Sequence, residues 1–588
     1  MCGIAGIFGK SDVDTLKKML STLYHRGPDD EYFVQDKNFC MGARRLSIID
    51  VKGGRQPISN ENGTIWVADN GEIYNFHELR DNLSQRGHVF KTKTDTEVIV
   101  HAYEEDKEFF NSLNGMFAIS IWDSNKRQGI LLRDRTGKKP LYYTHIDDCL
   151  YFASEIKALL QIPNFKRKIN FEALHYYLSY KHVPCPLTIF EKIYSLPPAS
   201  VLYYQDSWCK INKYWHPDFT PSVEATEEQI SEKLIEILKG SVKRRMISDV
   251  PIGFFLSGGL DSSLEVALAS QLTDKKLLTF TLAYKDESEG KKKDRQNARL
   301  IAAMFGTEHY EDVIDYPDLP SEFENIISCF DEPFAGVIST YFLARYIHKY
   351  VKVAITGDGA DELFGSYLSH RLAYPLSLEN GNKEWEWRYK MGVFTDAEKS
   401  LLYSPETEGI TRHYSTIHHL KHYFDSLTAT DPVNRILEAE FNSIFPDQLL
   451  AFADRLSMAH SVELRTAYLD TESVEFVASL PGYLKVNNGE TKYILKKAAL
   501  NYIPADIVNR KKEGFIMPVT EWFYGKLKDY VKSELSPESL NRHGLFHSFY
   551  VNELMDGFYN KPYNYRVGNK LLSLVAFQVW YDKYMGAK

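Results

Sequence analysis

The second residue of the chain is a cysteine that could act as a nucleophile. Cys2 follows Met1, and removal of Met1 would leave a thiol and a free α-amine on one residue. An α-amine titrates near about pH 8 and can therefore serve as general base for the neighbouring thiol. A single free cysteine is more often a small buried core residue. Cys2 alone therefore does not establish a catalytic site.

Four motifs downstream of Cys2 give this thiol a possible substrate. In chain order they are HRGPDD (25–30), RRLSIID (44–50), DNGEIYN (69–75) and KTDTEV (93–98). Together with the opening MCGIAGIFG they resemble the class II glutamine amidotransferase domain of the N-terminal nucleophile group. The resemblance predicts a first domain over residues 2–205, an α+β fold of layered antiparallel sheets between helices.

The resemblance also implies a role for individual side chains. Arg45 would hold the glutamine α-carboxylate, because a guanidinium group matches a carboxylate with two hydrogen bonds. Asp95 and Glu72 would hold the α-ammonium group, and Asn70 with the backbone N–H of Gly71 would form an oxyanion hole. For Arg45 and Asp95 the alternative is a solvated surface charge. The predicted glutamine-binding set is Arg45, Leu46, Ser47, Ile48, Ile49, Asn70, Gly71, Glu72 and Asp95.

A second candidate site begins at IGFFLSGGLDSS (252–263), an apolar strand followed by a turn and a helix start. A helix N-terminus offers unpaired N–H groups to an anion, and Gly258 and Gly259 allow the backbone to approach a phosphate. Its spacing differs from a Walker A loop. SGGLDSS resembles the PP-loop of ATP pyrophosphatases. The predicted ATP-binding set is Leu256, Ser257, Gly258, Gly259, Asp261, Ser262, Ser263, Leu282, Thr356 and Gly357.

An acidic motif, VKVAITGDGADELFGSY (351–367), also follows an apolar strand and should reach the same edge of a parallel sheet. We predict Asp358 as a catalytic acid and Asp261 with Asp361 as Mg²⁺ ligands. Acidic residues at a helix start are also common caps. Lys492, in TKYILKKA (491–498), is the remaining predicted catalytic residue; the whole-chain family resemblance described below implies that it would neutralise pyrophosphate charge.

Composition narrows the functional classes. The 588 residues carry a net charge of -9, which provides no basic surplus to attract nucleic acid or anionic lipid. The six cysteines form no CxxC pair, as expected for a reducing compartment. An apolar stretch long enough for a membrane helix and a basic leader are both lacking. We therefore expect a cytoplasmic protein that contacts neither membrane nor nucleic acid.

Organisation along the chain fits two domains. From about Thr226, apolar strands alternate with amphipathic helices, which predicts a parallel sheet in an α/β layer over a second domain, 226–588. We expect the break between the domains at 203–222, where polar and proline residues interrupt the pattern. The part after about Asn382 is predicted to be mainly helical.

The whole chain resembles the glutamine-hydrolysing asparagine synthetase family, with further motifs at DRLSMAHSVELRTAYLD (454–470) and RKKEGFIMP (510–518). The resemblance implies glutamine, ATP and aspartate as substrates, Mg²⁺ as cofactor and a possible homodimer. Asp358 replaces the usual Glu, Ser366 a usual Gly and Ala467 a usual Pro, and LSHRLAYPLS (368–377) departs as well. These changes favour, as an alternative, another carboxylate acceptor such as a sugar or peptide. A non-catalytic sensor is a third hypothesis, disfavoured by the intact motifs.

Overall fold

The computed structural model describes residues 2–285, 288–314, 319–373, 384–510, 514 and 518–586. The N-terminal domain contains twelve strands among these residues. They are β1 (Cys2–Phe8), β2 (Asp30–Asp36), β3 (Phe39–Arg45), β4 (Ile58–Ser59), β5 (Ile65–Ile73), β6 (Gly115–Asp123), β7 (Gln128–Arg133), β8 (Tyr142–Ile146), β9 (Cys149–Ala153), β10 (Tyr194–Ser195), β11 (Ser200–Gln205) and β12 (Trp208–Lys213). Its α-helices are α1 (Val13–Ser21), α2 (Phe76–Gln85), α3 (Glu97–Glu105), α4 (Ile156–Leu159) and α5 (Phe171–Tyr180).

These strands form two antiparallel sheets packed face to face. The first has the order β10-β8-β9-β1-β3-β2 and the second β12-β11-β7-β6-β5-β4. Side chains such as Ile4, Phe8, Ala68 and Phe152 fill the space between the sheets. Helix α1 packs on the outside of the first sheet and α3 on the outside of the second. The predicted arrangement of antiparallel sheets between helices is confirmed.

The C-terminal domain is built on a five-stranded parallel sheet of order β15-β14-β13-β16-β17. Its strands are β13 (Ile252–Phe255), β14 (Leu278–Tyr284), β15 (Glu308–Ile314), β16 (Val353–Thr356) and β17 (Glu463–Thr466). The helices associated with it are α6 (Glu227–Arg245), α7 (Leu260–Ser270), α8 (Glu289–Met304), α9 (Leu319–Ser328), α10 (Ser339–Ile347), α11 (Ala360–Phe364) and α12 (Leu368–Arg371). The predicted α/β layer is thereby confirmed.

The rest of the described chain is mainly helical, as predicted. Its α-helices are Glu384–Lys390, Asp396–Leu402, Pro405–Thr411, Thr416–Asp425, Pro432–Phe441, Ala451–Met458, Thr471–Ala478, Gly482–Lys485, Tyr493–Ala499, Ala505–Val508, Val519–Tyr524, Lys528–Glu534, Pro537–Asn541, Ser548–Tyr559 and Tyr565–Tyr584. None of the helices in the described ranges is both long and apolar enough to cross a membrane.

Two strands depart from the sequence analysis. Strand β12 lies inside the 203–222 stretch where we expected a break, because its hairpin with β11 extends the N-terminal sheet to Lys213. Strand β17 lies in the part predicted to be helical, and it pairs in parallel with β16. Its residues Glu463 and Arg465 are both fully buried, and they form an ion pair with Nε to Oε1 at 2.6 Å. Because charged residues occupy buried positions in β17, a search for apolar runs did not indicate a strand here.

The two domains meet through buried charges and an apolar cluster. Arg26 of the N-terminal domain donates to both carboxylate oxygens of Asp454, at 2.8 and 3.1 Å, and neither side chain is exposed by more than 3%. The apolar cluster beside the second N-terminal sheet includes Ile48 and also Val353 and Met458 of the C-terminal domain. Removing one partner of a buried ion pair leaves an uncompensated charge, so such contacts fix the relative position of the domains.

Candidate active sites

The first candidate site lies at the start of β1, an inner strand of the first sheet. Strand β1 pairs with β3, and this register places Cys2 opposite Arg45. Cys2 is 4% exposed. Its position is fixed further by Arg26, whose Nε donates to the Cys2 carbonyl oxygen at 3.3 Å. The predicted nucleophile therefore sits at a rigid strand end, between the two sheets.

Asn70 lies directly against Cys2 from the facing sheet. The backbone N–H of Cys2 donates to Asn70 Oδ1 at 3.3 Å. The Nδ2 group of Asn70 is buried and makes no hydrogen bond to any described residue. Burying an amide donor without a partner costs about 1–3 kcal/mol, which calls for an explanation. A substrate oxyanion beside Cys2 would satisfy it, as the predicted oxyanion hole requires.

Gly71, the second predicted oxyanion-hole residue, is constrained by close backbone packing. A Cβ atom at this position would lie 2.2 Å from the carbonyl oxygen of Met116 on β6. Any larger residue would push β5 and β6 apart. The glycine thus permits the close pairing of β5 with β6 beside Asn70 and leaves its own backbone uncovered by a side chain.

The electrostatic setting of the thiol favours its protonated form at rest. Burial raises the pKa of the Cys2 thiol, although the Arg45 charge and the Leu46 backbone N–H act in the opposite direction. Gln56, a residue the sequence analysis did not single out, donates from Nε2 toward Cys2 Sγ at 3.9 Å and to Thr96 Oγ1 at 3.0 Å. A local base is therefore needed to generate a thiolate.

Arg45 and the loop that follows it form one unit. The guanidinium group donates to the backbone carbonyls of Ile49 and Asp50 at 2.9 and 2.8 Å, and to that of Val51 at 3.2 Å. The backbone N–H of Ser47 donates to Asp29 Oδ2 at 2.8 Å. Of the predicted glutamine-binding residues, Arg45, Leu46, Ser47, Ile48 and Ile49 are therefore brought together and buried as a single loop.

The two carboxylates predicted to bind the glutamine ammonium group have different partners. Asp95 accepts from the backbone N–H of Ile73 at 2.9 Å and from Thr94 Oγ1 at 3.0 Å. Glu72 instead forms an ion pair with Arg465 of the C-terminal domain, with Oε2 to Nη2 at 2.8 Å. The structure thus places the Glu72 carboxylate at the domain interface, a contact that the local sequence did not indicate.

Asp69 is a further residue of this site that the sequence analysis left without a role. It is fully buried, and neither carboxylate oxygen has a hydrogen-bond partner among the described residues. Burial first, and then the charge of Asp95, raise the pKa of Asp69 well above its ordinary value. Its place immediately before Asn70 in DNGEIYN was the only available signal.

The second candidate site lies at the carboxyl edge of the parallel sheet. Strand β13 ends at Phe255, and α7 begins at Leu260 with Gly259 as its N-cap and no capping side chain. Gly258 has a φ of 73°, and a Cβ there would lie 2.1 Å from the carbonyl oxygen of Asp294. Only glycine fits this position. The turn therefore presents uncapped helix N–H groups, a suitable environment for phosphate.

Hydroxyl groups order the same turn. Ser257 Oγ and Ser262 Oγ lie 3.0 Å apart, and the backbone N–H of Ser257 donates to Ser262 Oγ at 3.2 Å. Ser263 is fully buried, and its hydroxyl has no partner among the described residues. Leu256 and Leu282 are also buried, on the loop after β13 and on β14 respectively. These predicted nucleotide-binding residues thus converge at one sheet edge.

Three charged side chains meet in front of this turn. Lys492 Nζ donates to both oxygens of Asp261 at 2.6 Å and contacts Asp361 Oδ1 at 2.5 Å. Burial disfavours the charged lysine, but the two carboxylates outweigh it and raise the pKa of Lys492 above its ordinary value. Carboxylates that share one cation at this distance can also share a metal ion, and oxygen ligands are those that Mg²⁺ prefers.

The acidic motif after β16 completes the edge. Thr356 Oγ1 donates to Asp358 Oδ2 at 2.7 Å. A Cβ at Gly357 would lie 3.0 Å from Asp261 Cβ, so the two loops pack closely. Ser366, which replaces a glycine expected from the resemblance, donates from Oγ to Asp361 Oδ1 at 2.7 Å. Of the remaining motifs, LSHRLAYPLS lies partly and RKKEGFIMP mostly outside the described residues.

Comparison with known proteins agrees with this geometry. Residues 1–215 match the model of the glutamine amidotransferase domain, and residues 233–582 match that of asparagine synthase. The protein named asparagine synthetase [glutamine-hydrolyzing] 1 from Bacillus subtilis is 34% identical over 99% of this chain and 96% of its own. The protein named asparagine synthetase [glutamine-hydrolyzing] 3 of the same organism is 30% identical over 88% of this chain and 87% of its own. The chain belongs to the asparagine synthase family, with an N-terminal glutamine amidotransferase domain.

Proposed function

We propose that this protein is a glutamine-dependent asparagine synthetase. It would hydrolyse L-glutamine at Cys2 and transfer the ammonia to an ATP-activated β-aspartyl-AMP, giving L-asparagine, AMP and pyrophosphate. The observation that carries the proposal is that one chain of this family holds two sets of groups: Cys2 against the Asn70 amide, whose Nδ2 has no partner among the described residues, and Lys492 between Asp261 and Asp361.

At the first site, the Cys2 thiol would attack the side-chain amide carbon of glutamine. The α-amine of Cys2, freed by removal of Met1, is proposed to accept the thiol proton and pass it to the leaving nitrogen. Asn70 Nδ2 and the Gly71 N–H would stabilise the oxyanion. Ammonia leaves and a thioester remains, which water hydrolyses to glutamate. Arg45, the 46–49 loop, Glu72 and Asp95 are proposed to hold the substrate's charged end.

At the second site, a β-carboxylate oxygen of aspartate would attack the α-phosphorus of ATP, and pyrophosphate would leave. The Gly258–Gly259 turn and the hydroxyls of Ser257, Ser262 and Ser263 are proposed to hold the phosphates. Lys492 would stabilise the charge that develops on pyrophosphate. Ammonia then attacks the acyl carbon and AMP leaves, with Asp358 proposed to orient the amine. The remaining proposed nucleotide contacts are Leu256, Leu282, Thr356 and Gly357.

Mg²⁺ is the metal that the proposed chemistry requires. Asp261 and Asp361 would hold it, since both carboxylates already reach one common cation. When bound, it would neutralise phosphate charge. Lys492 would then exchange one of its carboxylate contacts for a phosphate oxygen. The fit of the two carboxylates to one ion supports this proposal.

Further support comes from the domain interface. Ammonia is mostly protonated in neutral water, so its transfer favours an apolar, sheltered route. Ile48 of the first site's loop and Val353, the first residue of β16, belong to one buried apolar cluster. Strand β16 leads directly to the Thr356–Asp358 loop. We propose that the N-terminal domain, predicted over 2–205, extends through strand β12 to Lys213, and that the second domain spans 226–588. We also propose a cytoplasmic location and a homodimer, the latter testable by light scattering.

The decisive experiment supplies the purified chain with glutamine, ATP, Mg²⁺ and aspartate. Asparagine, AMP and pyrophosphate should appear in equal amounts. Intact glutaminase activity without asparagine would contradict aspartate as the acceptor. The altered residue Ser366, bonded to Asp361, motivates a parallel screen of other carboxylates, sugar and peptide acids included, followed by pyrophosphate release. A different acceptor that alone triggers pyrophosphate release would replace aspartate in the proposal.

A further inference from the structure

A cluster of histidine and glutamate side chains lies in the N-terminal domain among residues that neither site uses. It consists of Glu61, His88, His101 and Glu104, and their ligand atoms all lie within 4.8 Å of one another. We call it the His–Glu cluster. Its members come from three segments: the turn between β4 and β5, the loop after α2, and helix α3.

The spacing of these atoms is close to that of a tetrahedral metal site. His88 Nδ1 and His101 Nδ1 lie 3.1 Å apart, and His101 Nδ1 lies 3.3 Å from Glu104 Oε2. The contacts of these histidines with Glu61, and of His88 with Glu104, measure 3.7–3.9 Å. A tetrahedron with metal–ligand bonds of about 2.0–2.1 Å has edges of about 3.4 Å. Small side-chain movements would bring all four ligands to that distance.

The outer nitrogens of both histidines face carboxylates. His88 Nε2 lies 3.0 Å from Glu105 Oε1. His101 Nε2 lies 3.9 Å from Glu97 Oε1, and Glu97 is itself held by the backbone N–H groups of Lys91 and Thr92, each at 2.7 Å. Metal-binding histidines usually donate their second N–H to a carboxylate, which leaves the inner nitrogen free as a ligand.

Ion pairing between the histidines and the glutamates explains this arrangement less well than a bound metal ion does. Two protonated imidazoles would place two N–H donors against each other at 3.1 Å. Four carboxylates surround the two rings, so the site favours added positive charge. One neutral ring could donate its N–H to the lone pair of the other at this distance, which is the alternative to a bound ion. A dication would instead bind both Nδ1 lone pairs and supply two positive charges while both rings stay neutral.

We propose that the His–Glu cluster binds one divalent transition metal, with Zn²⁺ the best match to two imidazoles and two carboxylates. The metal would tie together the β4–β5 turn, the α2–α3 loop and helix α3. That loop contains Asp95 of the glutamine site, seven residues after His88. The ion would therefore act structurally, stabilising the frame around the first site. Glu61 at 39% side-chain exposure provides an entry path.

The test uses the full chain without a histidine tag, stripped with a chelator and titrated with Co²⁺ in the absence of ATP. Tetrahedral Co²⁺ gives intense visible bands, so the spectrum reports geometry as well as affinity. The variant is His88→Gln, because the His88 side chain is 13% exposed and that of His101 only 1%, so replacing His88 disturbs the core less. The matched control is His145→Gln, an exposed histidine on β8. Circular dichroism checks the fold of both.

We expect the native chain and the control to bind about one equivalent of Co²⁺ with tetrahedral bands, displaced by Zn²⁺. His88→Gln should lower the affinity at least tenfold and abolish the bands. Zn²⁺ should raise the melting temperature of the native chain and not that of His88→Gln. Equal binding by His88→Gln and the native chain would overturn the proposal. So would loss of the bands in Asp261→Asn, which would place the ion at the second site.

Discussion

The two candidate active sites differ in how their charged and polar groups are satisfied without substrate. Beside Cys2, the buried donor Asn70 Nδ2 has no hydrogen-bond partner in the described part of the chain. At the sheet edge, opposite charges neutralise each other, because Lys492 contacts both Asp261 and Asp361. The first site is thus preorganised for a developing charge, whereas the second must exchange internal ion pairs for those with nucleotide and metal.

The largest effect should come from the nucleophile itself. Cys2→Ala should abolish glutamine-dependent synthesis, a loss of about 10³-fold or more, because the Cys2 thiol is the proposed nucleophile that attacks the amide carbon. Synthesis from added ammonia should persist at the native rate, since the second site is separate. Asparagine formation with each nitrogen donor measures both. If the ammonia-dependent rate fell equally, the two sites would not be independent and the comparison would fail.

The converse change removes one of the paired charges at the second site. Asp261→Asn should leave glutaminase activity within about twofold and lower pyrophosphate release by about 10²–10³-fold, since Lys492 loses a partner and the proposed Mg²⁺ loses a ligand. The readouts are glutamate and pyrophosphate release. Asp274→Asn, an exposed acid of the same domain, is the control. Normal pyrophosphate release in Asp261→Asn would contradict the metal assignment.

The Asn70 amide, whose Nδ2 has no partner among the described residues, can be tested directly. Asn70→Ala should lower kcat for glutamine hydrolysis by about 10²-fold while changing KM little, because the lost hydrogen bond forms only with the oxyanion. The melting temperature should change little, because removing a donor that has no partner among the described residues offsets the loss of the hydrogen bond that Asn70 Oδ1 accepts from Cys2. Asn82→Ala, exposed on α2, controls for general effects. A large rise in KM at unchanged kcat would assign Asn70 to ground-state binding instead.

The same contrast explains which parts of the site the sequence could predict. Cys2 and the Asn70–Gly71 pair lie in two motifs 68 positions apart, and the resemblance to the class II amidotransferase domain, not their spacing, predicted that they meet. The ion pair of Glu72 with Arg465 joins positions 393 residues apart. Nothing near Glu72 signals a partner in the other domain, and the strand that carries Arg465 lies in a part of the chain predicted to be mainly helical. Long-range charge pairing, unlike a motif, leaves no local pattern in the chain.

For the fold, too, features with a local sequence pattern were predicted, whereas features that depend on distant residues were not. Apolar strands that alternate with helices predicted the parallel sheet, because the pattern of each strand and each helix is local. Strand β12, by contrast, is largely exposed and polar, with Trp208 60% exposed. Its pairing with β11 depends on backbone hydrogen bonds, which do not require apolar side chains. Its polar composition therefore led us to expect a break between the domains here. Gln56 and Asp69 escaped notice because their roles rest on neighbours brought close only by folding.

The smallest effect should come from a residue that adjusts the paired charges. Ser366→Gly removes the hydroxyl that donates to Asp361 Oδ1, the same oxygen that Lys492 contacts. A hydrogen bond of this kind contributes about 1 kcal/mol, so the KM for ATP should change by about fivefold, while glutaminase activity stays unchanged. Ser366→Thr keeps the hydroxyl and should match the native chain. If Ser366→Gly and Ser366→Thr had the same KM for ATP, the Ser366 hydroxyl would not contribute to positioning Asp361 beside Lys492.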